Sequence, residues 1–207
     1  MIKLTFKPQV KRKNRFSVFL GEEYLFSISG YTYRKLVGRE ELLVESVQAF
    51  QKDCVLPEQY DYCLGLLSRR MYSQKELSEK LKLHGCPPGI AEEILERLKE
   101  NGYLSDENYR EQFLYSRQTY KKQGFYKIKQ DLFGKGISLD ACDYDFEAEK
   151  QNLKEQVSLL LQKQTDTKKI YSRLLRKGYR FSDISDCLRT LSSHTLEEEI
   201  YEEDYDA

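Results

Sequence analysis

The chain has 207 residues, a third of them charged, with four prolines, no tryptophan, and 34 basic side chains balanced by 34 acidic ones. No apolar run approaches the roughly 18 to 20 residues needed to cross a bilayer, and the start MIKLTFKPQVKRK lacks the apolar block of a signal peptide. A cytoplasmic, helix-rich protein is expected, not a membrane or secreted one.

Five cysteines stand at 54, 63, 86, 142 and 187. None forms a Cys-x-x-Cys pair or lies near a His at ligand spacing, so they read as reduced, mostly buried apolar residues. The neutral total hides an asymmetry: residues 197–207, EEEIYEEDYDA, hold seven acids and no base, which leaves 34 bases against 27 acids over residues 1–196. A solvated acidic tail on a mildly basic body follows, and the tail is a candidate for autoinhibition by competing for the basic face.

In chain order, Ile2, Leu4 and Phe6 alternate with polar residues, as do Phe16, Val18 and Leu20, and then Tyr24, Phe26 and Ile28. This predicts a small antiparallel hairpin or three-stranded sheet. The cluster Lys11-Arg12-Lys13 with Arg15 is placed in the first turn, either as a charged turn that discourages edge pairing or as a contact. Leu43, Val47, Phe50 and Cys54 then follow a helical spacing, predicting a helix from about Arg39 to Asp53 that Pro57 ends.

From Pro57 onward the pattern repeats. Leu77, Leu81, Gly85, then Ile128, Leu132, Gly136, then Ile170, Leu174, Gly178 each set two apolar residues four apart and a glycine four later. Beyond the glycine the apolar register continues as Ala91, Leu95, Leu98 in the first copy and Ile184, Leu188, Leu191 in the third. In the second copy it runs Leu139, Cys142, Phe146 and decays at Glu149. A glycine just past a helix end supplies the left-handed backbone such an end requires. The expected fold is mainly α: three tandem three-helix repeats (57–104, 105–146, 147–191) forming an elongated curved rod. A small strand-containing region (1–56) precedes them and the acidic tail (192–207) follows.

No phosphate-binding Gly-rich loop, His-Glu-x-x-His or Gly-x-Ser-x-Gly is present. The two histidines, His84 and His194, lack catalytic partners. An enzyme with a site assembled only by folding therefore ranks last. Recognition ranks first, because bases interleave with rings in Tyr115, Arg117, Tyr120, Lys121, Lys122, Phe125, Tyr126, Lys127 and in Tyr171, Arg173, Arg176, Lys177, Tyr179, Arg180. That pattern suits phosphate contact with base stacking, a protein interface anchored by Tyr and Arg, or an aromatic core with a solvated rim. The candidate contact residues are Arg110, Arg117, Lys121, Lys122, Lys127, Lys129, Lys135, Lys169, Arg173, Arg176 and Lys177. The link Lys121-Lys122-Gln123-Gly124 is expected to be a basic, exposed hinge.

Three stretches carry a family resemblance: Leu66-Leu67-Ser68-Arg69-Arg70 with Tyr72-Ser73 and Glu76-Leu77; Gly102-Tyr103-Leu104-Ser105-Asp106-Glu107 through Tyr115-Ser116-Arg117 and Gly124 to Ile128-Lys129-Gln130-Asp131-Leu132; and Leu174-Leu175-Arg176-Lys177-Gly178-Tyr179 with Asp183-Ile184. In order and spacing the chain resembles the RecX family, regulators of the RecA recombinase, across about residues 58 to 191. The family often has Gly-aromatic-Gly where this chain has Gly124-Phe125-Tyr126. The resemblance implies a protein without catalytic residues or cofactor that binds the RecA filament on single-stranded DNA; the chain is expected to be a monomer. The resemblance also implies suppression of ATP hydrolysis and strand exchange, or filament disassembly, in recombination, DNA repair and the SOS response. Direct binding of single-stranded DNA is the alternative.

Overall fold

In the computed structural model, which describes residues 1–163 and 166–191, strands β1 (Ile2–Pro8), β2 (Arg15–Leu20) and β3 (Glu23–Ser29) form from the three alternating runs. Their inward residues Leu4, Phe6, Val18, Phe26 and Ile28 are all buried. A fourth strand, β4 (Glu41–Val44), pairs antiparallel with β1, giving the order β3-β2-β1-β4. Between β3 and β4 the chain makes one helical turn, α1 (Gly30–Thr32) continuing as a π-helical turn over Tyr33–Val37, and Gly38 reverses it at φ 64°.

These observations correct two expectations. Arg39 to Val44 is turn and strand, because pairing of Ile2 with Val44 supplies a partner that a helical reading of Leu43 ignores. The helix, α2 (Val47–Leu67), begins with the Ser46 hydroxyl accepting from the Ala49 amide, and it runs straight through Pro57. A mid-helix proline forfeits one backbone bond. Here that loss falls on an exposed position, while Cys54, Val55, Leu56, Gln59 and Cys63 on either side are buried. Those residues join sheet and helices in one core, so α2 belongs to both.

Helix α3 (Gln74–Leu83) starts with a capping box, Ser73 and Glu76 each satisfying the other's backbone amide. Helix α4 (Pro88–Glu100) places its proline where no amide partner is required. With α2 they complete the first repeat, and the chain from Met1 to Ser105 packs as one compact unit.

A second unit begins at Asp106. It contains α5 (Asp106–Tyr115), extended by a π-helical turn over Ser116–Tyr120, then α6 (Phe125–Gly134), a 3₁₀ turn (Ala141–Asp143), α7 (Phe146–Leu161), α8 (Thr167–Arg176) and a helix α9 over 181–191. The repeat pattern maps directly onto burial: Leu77, Leu81, Ile128, Leu132, Ile170 and Leu174 are all 0% exposed. Gly85, Gly136 and Gly178 all have positive φ, at 82°, 79° and 92°.

The second and third repeats lean on the same helix. Phe146, at the start of α7, packs with Tyr109, Phe125, Ile128, Leu132, Leu139 and Tyr144, whereas Leu153, Val157 and Leu160 further along pack with Ile170, Leu174, Tyr179, Ile184 and Leu188. One helix thus closes one cluster and opens the next.

Candidate functional site

The second unit is held together around two glycines. Gly124 immediately precedes α6 with an ordinary φ of −84°, so conformation is not what demands glycine there. Space is. A Cβ at Gly124 would stand 2.6 Å from the Gly178 carbonyl oxygen and 2.9 Å from the Tyr179 nitrogen, and one at Gly178 would overlap the Lys127 nitrogen. The backbones meet through the Gly124 amide donating to Lys177 O at 2.8 Å and the Tyr126 amide donating to Gly178 O at 3.3 Å.

Polar side chains seal this contact. Having no side chain, Gly124 cannot cap α6, and Glu149 of α7 does so instead, its Oε2 accepting from the Phe125 amide at 3.0 Å. Glu149 is only 6% exposed. Burial holds its carboxyl above the usual carboxylate range, against the opposing pull of hydrogen bonds from Tyr144 and the Phe125 amide. Burial likewise pushes the phenols of Tyr144 and Tyr179 up. The Tyr179 hydroxyl donates to Lys122 O at 2.8 Å, and Gln156 Nε2 donates to that same oxygen at 2.9 Å.

The candidate cations separate into two groups on this frame. Lys177 turns inward to Gln156 Oε1 and to Lys121 O at 3.4 Å, and its pKa is lowered by burial and then by Arg173 and Lys122. Lys122 is ion-paired with Glu155. Lys127 reaches Asp131 at 2.9 Å, an i,i+4 pair, and Arg110 lies 3.3 Å from both Glu107 and Asp143. Arg117 packs over the Phe113 ring at 4.6 Å, and Lys135 is half-buried with partners of its own. The basic, exposed hinge is therefore corrected: Lys121 is exposed, Lys122 and Gln123 are half-buried, and Gly124 is buried. The physical reason is the close backbone approach, which no local pattern encodes. The π-helical turn at Ser116–Tyr120 also winds more residues per turn, so the α-helical spacing of Arg110, Arg117 and Lys121 does not hold through it.

What stays available is a stripe on α8. Lys169, Arg173 and Arg176 lie at i, i+4 and i+7, all exposed, and with Lys121 and Lys129 they make no ion pair among the described residues. Beside it, Arg180 sits 5.4 Å over the ring of Tyr126, which is 49% exposed, and Tyr171 stacks on the exposed Phe181 at 4.9 Å. In the sequence Arg180 stands only as part of the base-and-ring alternation. Its pairing with Tyr126 depends on the Gly124–Gly178 contact. The bulky residue at 126 fits because it points outward.

Among the described residues no group of three or more His, Cys, Asp or Glu could hold a metal ion, and no helix is long and apolar enough to cross a membrane. His84 Nδ1 donates to Gln59 Oε1 at 2.8 Å and the ring stacks on Tyr62 at 4.1 Å, a packed position. Burial pushes Cys54 up to about 12 and Cys63 and Cys86 up to about 11, so all three stay protonated thiols.

Fold and site together define a helical-repeat protein that offers charged and aromatic surface for contact. Comparison with known proteins gives the family. Residues 60–98 match the family model described as RecX, first three-helix domain. A regulatory protein RecX of Clostridium botulinum (strain Alaska E43) is 30% identical over 210 residues, spanning 91% of this chain and 96% of the relative. The protein of the same name from Bacillus subtilis is 28% identical, spanning 86% of this chain and 72% of the relative. The chain belongs to the RecX family. Solved structures agree in fold: a crystal structure of regulatory protein RecX superposes over 90% of this chain at TM-score 0.57 and 21% identity, and RecX from Lactobacillus salivarius over 66% at 0.58 and 22%.

Proposed function

We propose that this chain is a non-enzymatic, cytoplasmic, monomeric regulator that binds the RecA recombinase filament on single-stranded DNA. By occupying the filament it inhibits ATP hydrolysis and strand exchange in recombination, DNA repair and the SOS response. Family membership supports the reading, since relatives across most of this length are named regulatory proteins. The observation that carries it to particular residues is the α8 stripe: Lys169, Arg173 and Arg176 lie exposed and make no ion pair among the described residues, whereas Arg110, Lys122 and Lys127 are each held by an acid. A polymeric anionic target rewards such a stripe, because modest contacts repeated along one rigid body add. Inhibition further requires that the active and inactive filament be contacted differently.

The test is ATP hydrolysis by RecA on single-stranded DNA with the wild type and with a K121E/R173E/R176E variant. Loss of inhibition at unchanged helicity is expected; full inhibition by a folded variant rejects the surface. The exposed rings Tyr126, under Arg180, and Phe181, stacked on the half-buried Tyr171, favour a second reading, in which this unit stacks on single-stranded DNA directly. A gel shift without RecA at two salt concentrations separates the two: tight, steeply salt-dependent binding that the α8 variant abolishes supports the second.

A further inference from the structure

The chain's basic excess does not lie in the repeats. Residues 1–39 carry nine Lys or Arg against Glu22 and Glu23, whereas residues 40–196 carry 25 bases and 25 acids. No acid precedes Glu22. The surplus of the body therefore belongs to the N-terminal sheet, and its densest part is Lys11-Arg12-Lys13 in the β1–β2 turn.

A charged turn that guards a sheet edge would be the ordinary explanation, and the topology removes it. In the order β3-β2-β1-β4 this turn joins the two inner strands. The edges lie elsewhere, at β3 and at β4, whose Glu41 pairs with Lys3 of β1 at 2.8 Å. Nor do these bases hold the fold. Lys11, Arg12 and Lys13 are exposed and make no ion pair among the described residues. Their neighbour Arg15 does the opposite: it starts β2, hydrogen-bonds Ser27 Oγ at 3.0 Å and lies 3.9 Å from Glu58, itself bonded to the Ser29 amide at 2.8 Å. One base is structural and three are presented.

The presentation is rigid. The Gln9 amide donates to Arg15 O at 2.9 Å and the Gly30 amide to Asn14 O at 2.7 Å, with Asn14 at φ 64°. The approach is so close that a Cβ at Gly30 would overlap Asn14 Oδ1. Arg34, on the turn after β3, reaches that same Oδ1 at 3.4 Å, and the adjacent Lys35 lies 5.9 Å over the ring of Tyr31, which is 66% exposed. Five cations and one available ring thus share one end of the sheet. Of these five only Arg12 acts on His84, whose pKa is lowered by burial first, then by Arg15 and then by Arg12.

From this juxtaposition we infer that the β1–β2 tip and the Gly30–Val37 turn form a second contact surface, separate from the α8 stripe, for the phosphate backbone of single-stranded nucleic acid. Flexible point charges matched to repeated phosphates, plus a ring for a base, are what such a strand requires. A specific protein interface needs a desolvated apolar or aromatic centre, and the exposed apolar side chains of this surface, Val10, Tyr31 and Leu36, are few beside its five cations.

The experiment is fluorescence anisotropy of a labelled oligo-dT with the full-length chain across a salt series. K11E/R12E/K13E and R34E/K35E should each weaken binding about tenfold or more, the triple variant also flattening the log–log salt slope by about 2, near 0.7 for each phosphate left unneutralised. Because these side chains are exposed, melting temperature should not change. K11Q/R12Q/K13Q, which adds no repulsion, should flatten the slope equally. Undiminished affinity and slope in all three variants, or no binding by the wild type, overturns the inference. So does polyglutamate competing as well as unlabelled oligo-dT, which would assign the surface to an acidic protein. RecA inhibition, read separately with the α8 variant, stands or falls independently.

Discussion

Gly124→Ala isolates the contact that builds the second unit. The added methyl would lie 2.6, 2.7 and 2.9 Å from Gly178 O, Gly178 C and Tyr179 N. All three are backbone atoms, so no side chain can swing aside. Overpacking of this kind costs about 1–3 kcal/mol, and the upper half applies here because separation also strains the bonds from the Gly124 and Tyr126 amides. A loss of about 2–3 kcal/mol corresponds to roughly 30- to 150-fold faster opening, read as hydrogen exchange of peptides covering residues 121–132 and 174–180, with residues 1–105 unchanged. Gly134→Ala, on the same helix with nothing within 4 Å of the added carbon, serves as the control and should be neutral or slightly stabilising. A Gly124→Ala variant exchanging within threefold of wild type would refute the close-approach argument.

Two further outcomes follow from buried ionisable groups. Glu149 has a raised pKa in the folded chain, so the native state binds the proton more tightly than the unfolded one. Its contribution favours folding below the ordinary carboxylate pKa of 4.5 and is lost as pH rises from there through the folded value. Urea melts from pH 4 to 8 should show that this fall is shallower in Glu149→Gln, while Glu149→Ala, which deprives the Phe125 amide of its acceptor, loses about 1–2 kcal/mol at neutral pH. Among the thiols, Cys142 is exposed and Cys54, Cys63 and Cys86 are buried with raised pKa. A maleimide at pH 7.5 should label Cys142 within minutes, and the other three only on unfolding.

The repeats are legible because a local rule governs them: an apolar pair four apart followed by a left-handed glycine describes one helix end, whatever packs on it. Leu77, Ile128 and Ile170 emerge this way. Legibility ends where the decisive partner is distant. Nothing near Leu43 announces that it pairs across from β1, and nothing near Pro57 announces that the sheet needs α2 to continue. Glu149 reads as a decayed apolar position, yet it is buried because a glycine 25 residues earlier leaves an amide uncapped. Among the cations, the Lys127–Asp131 pair follows from i,i+4 spacing, but Lys122–Glu155 and the inward turn of Lys177 require the tertiary contact. The suggested autoinhibitory role of residues 197–207 lies outside the described residues.

The central claim is that this chain acts by occupying a recombinase filament. Sedimentation of the purified protein with RecA assembled on single-stranded DNA, in the presence of a non-hydrolysable ATP analogue, tests it most directly. The account predicts that the chain pellets with the filament, saturably, and that K121E/R173E/R176E remains in the supernatant. Wild-type protein left in the supernatant at concentrations that saturate RecA would contradict it.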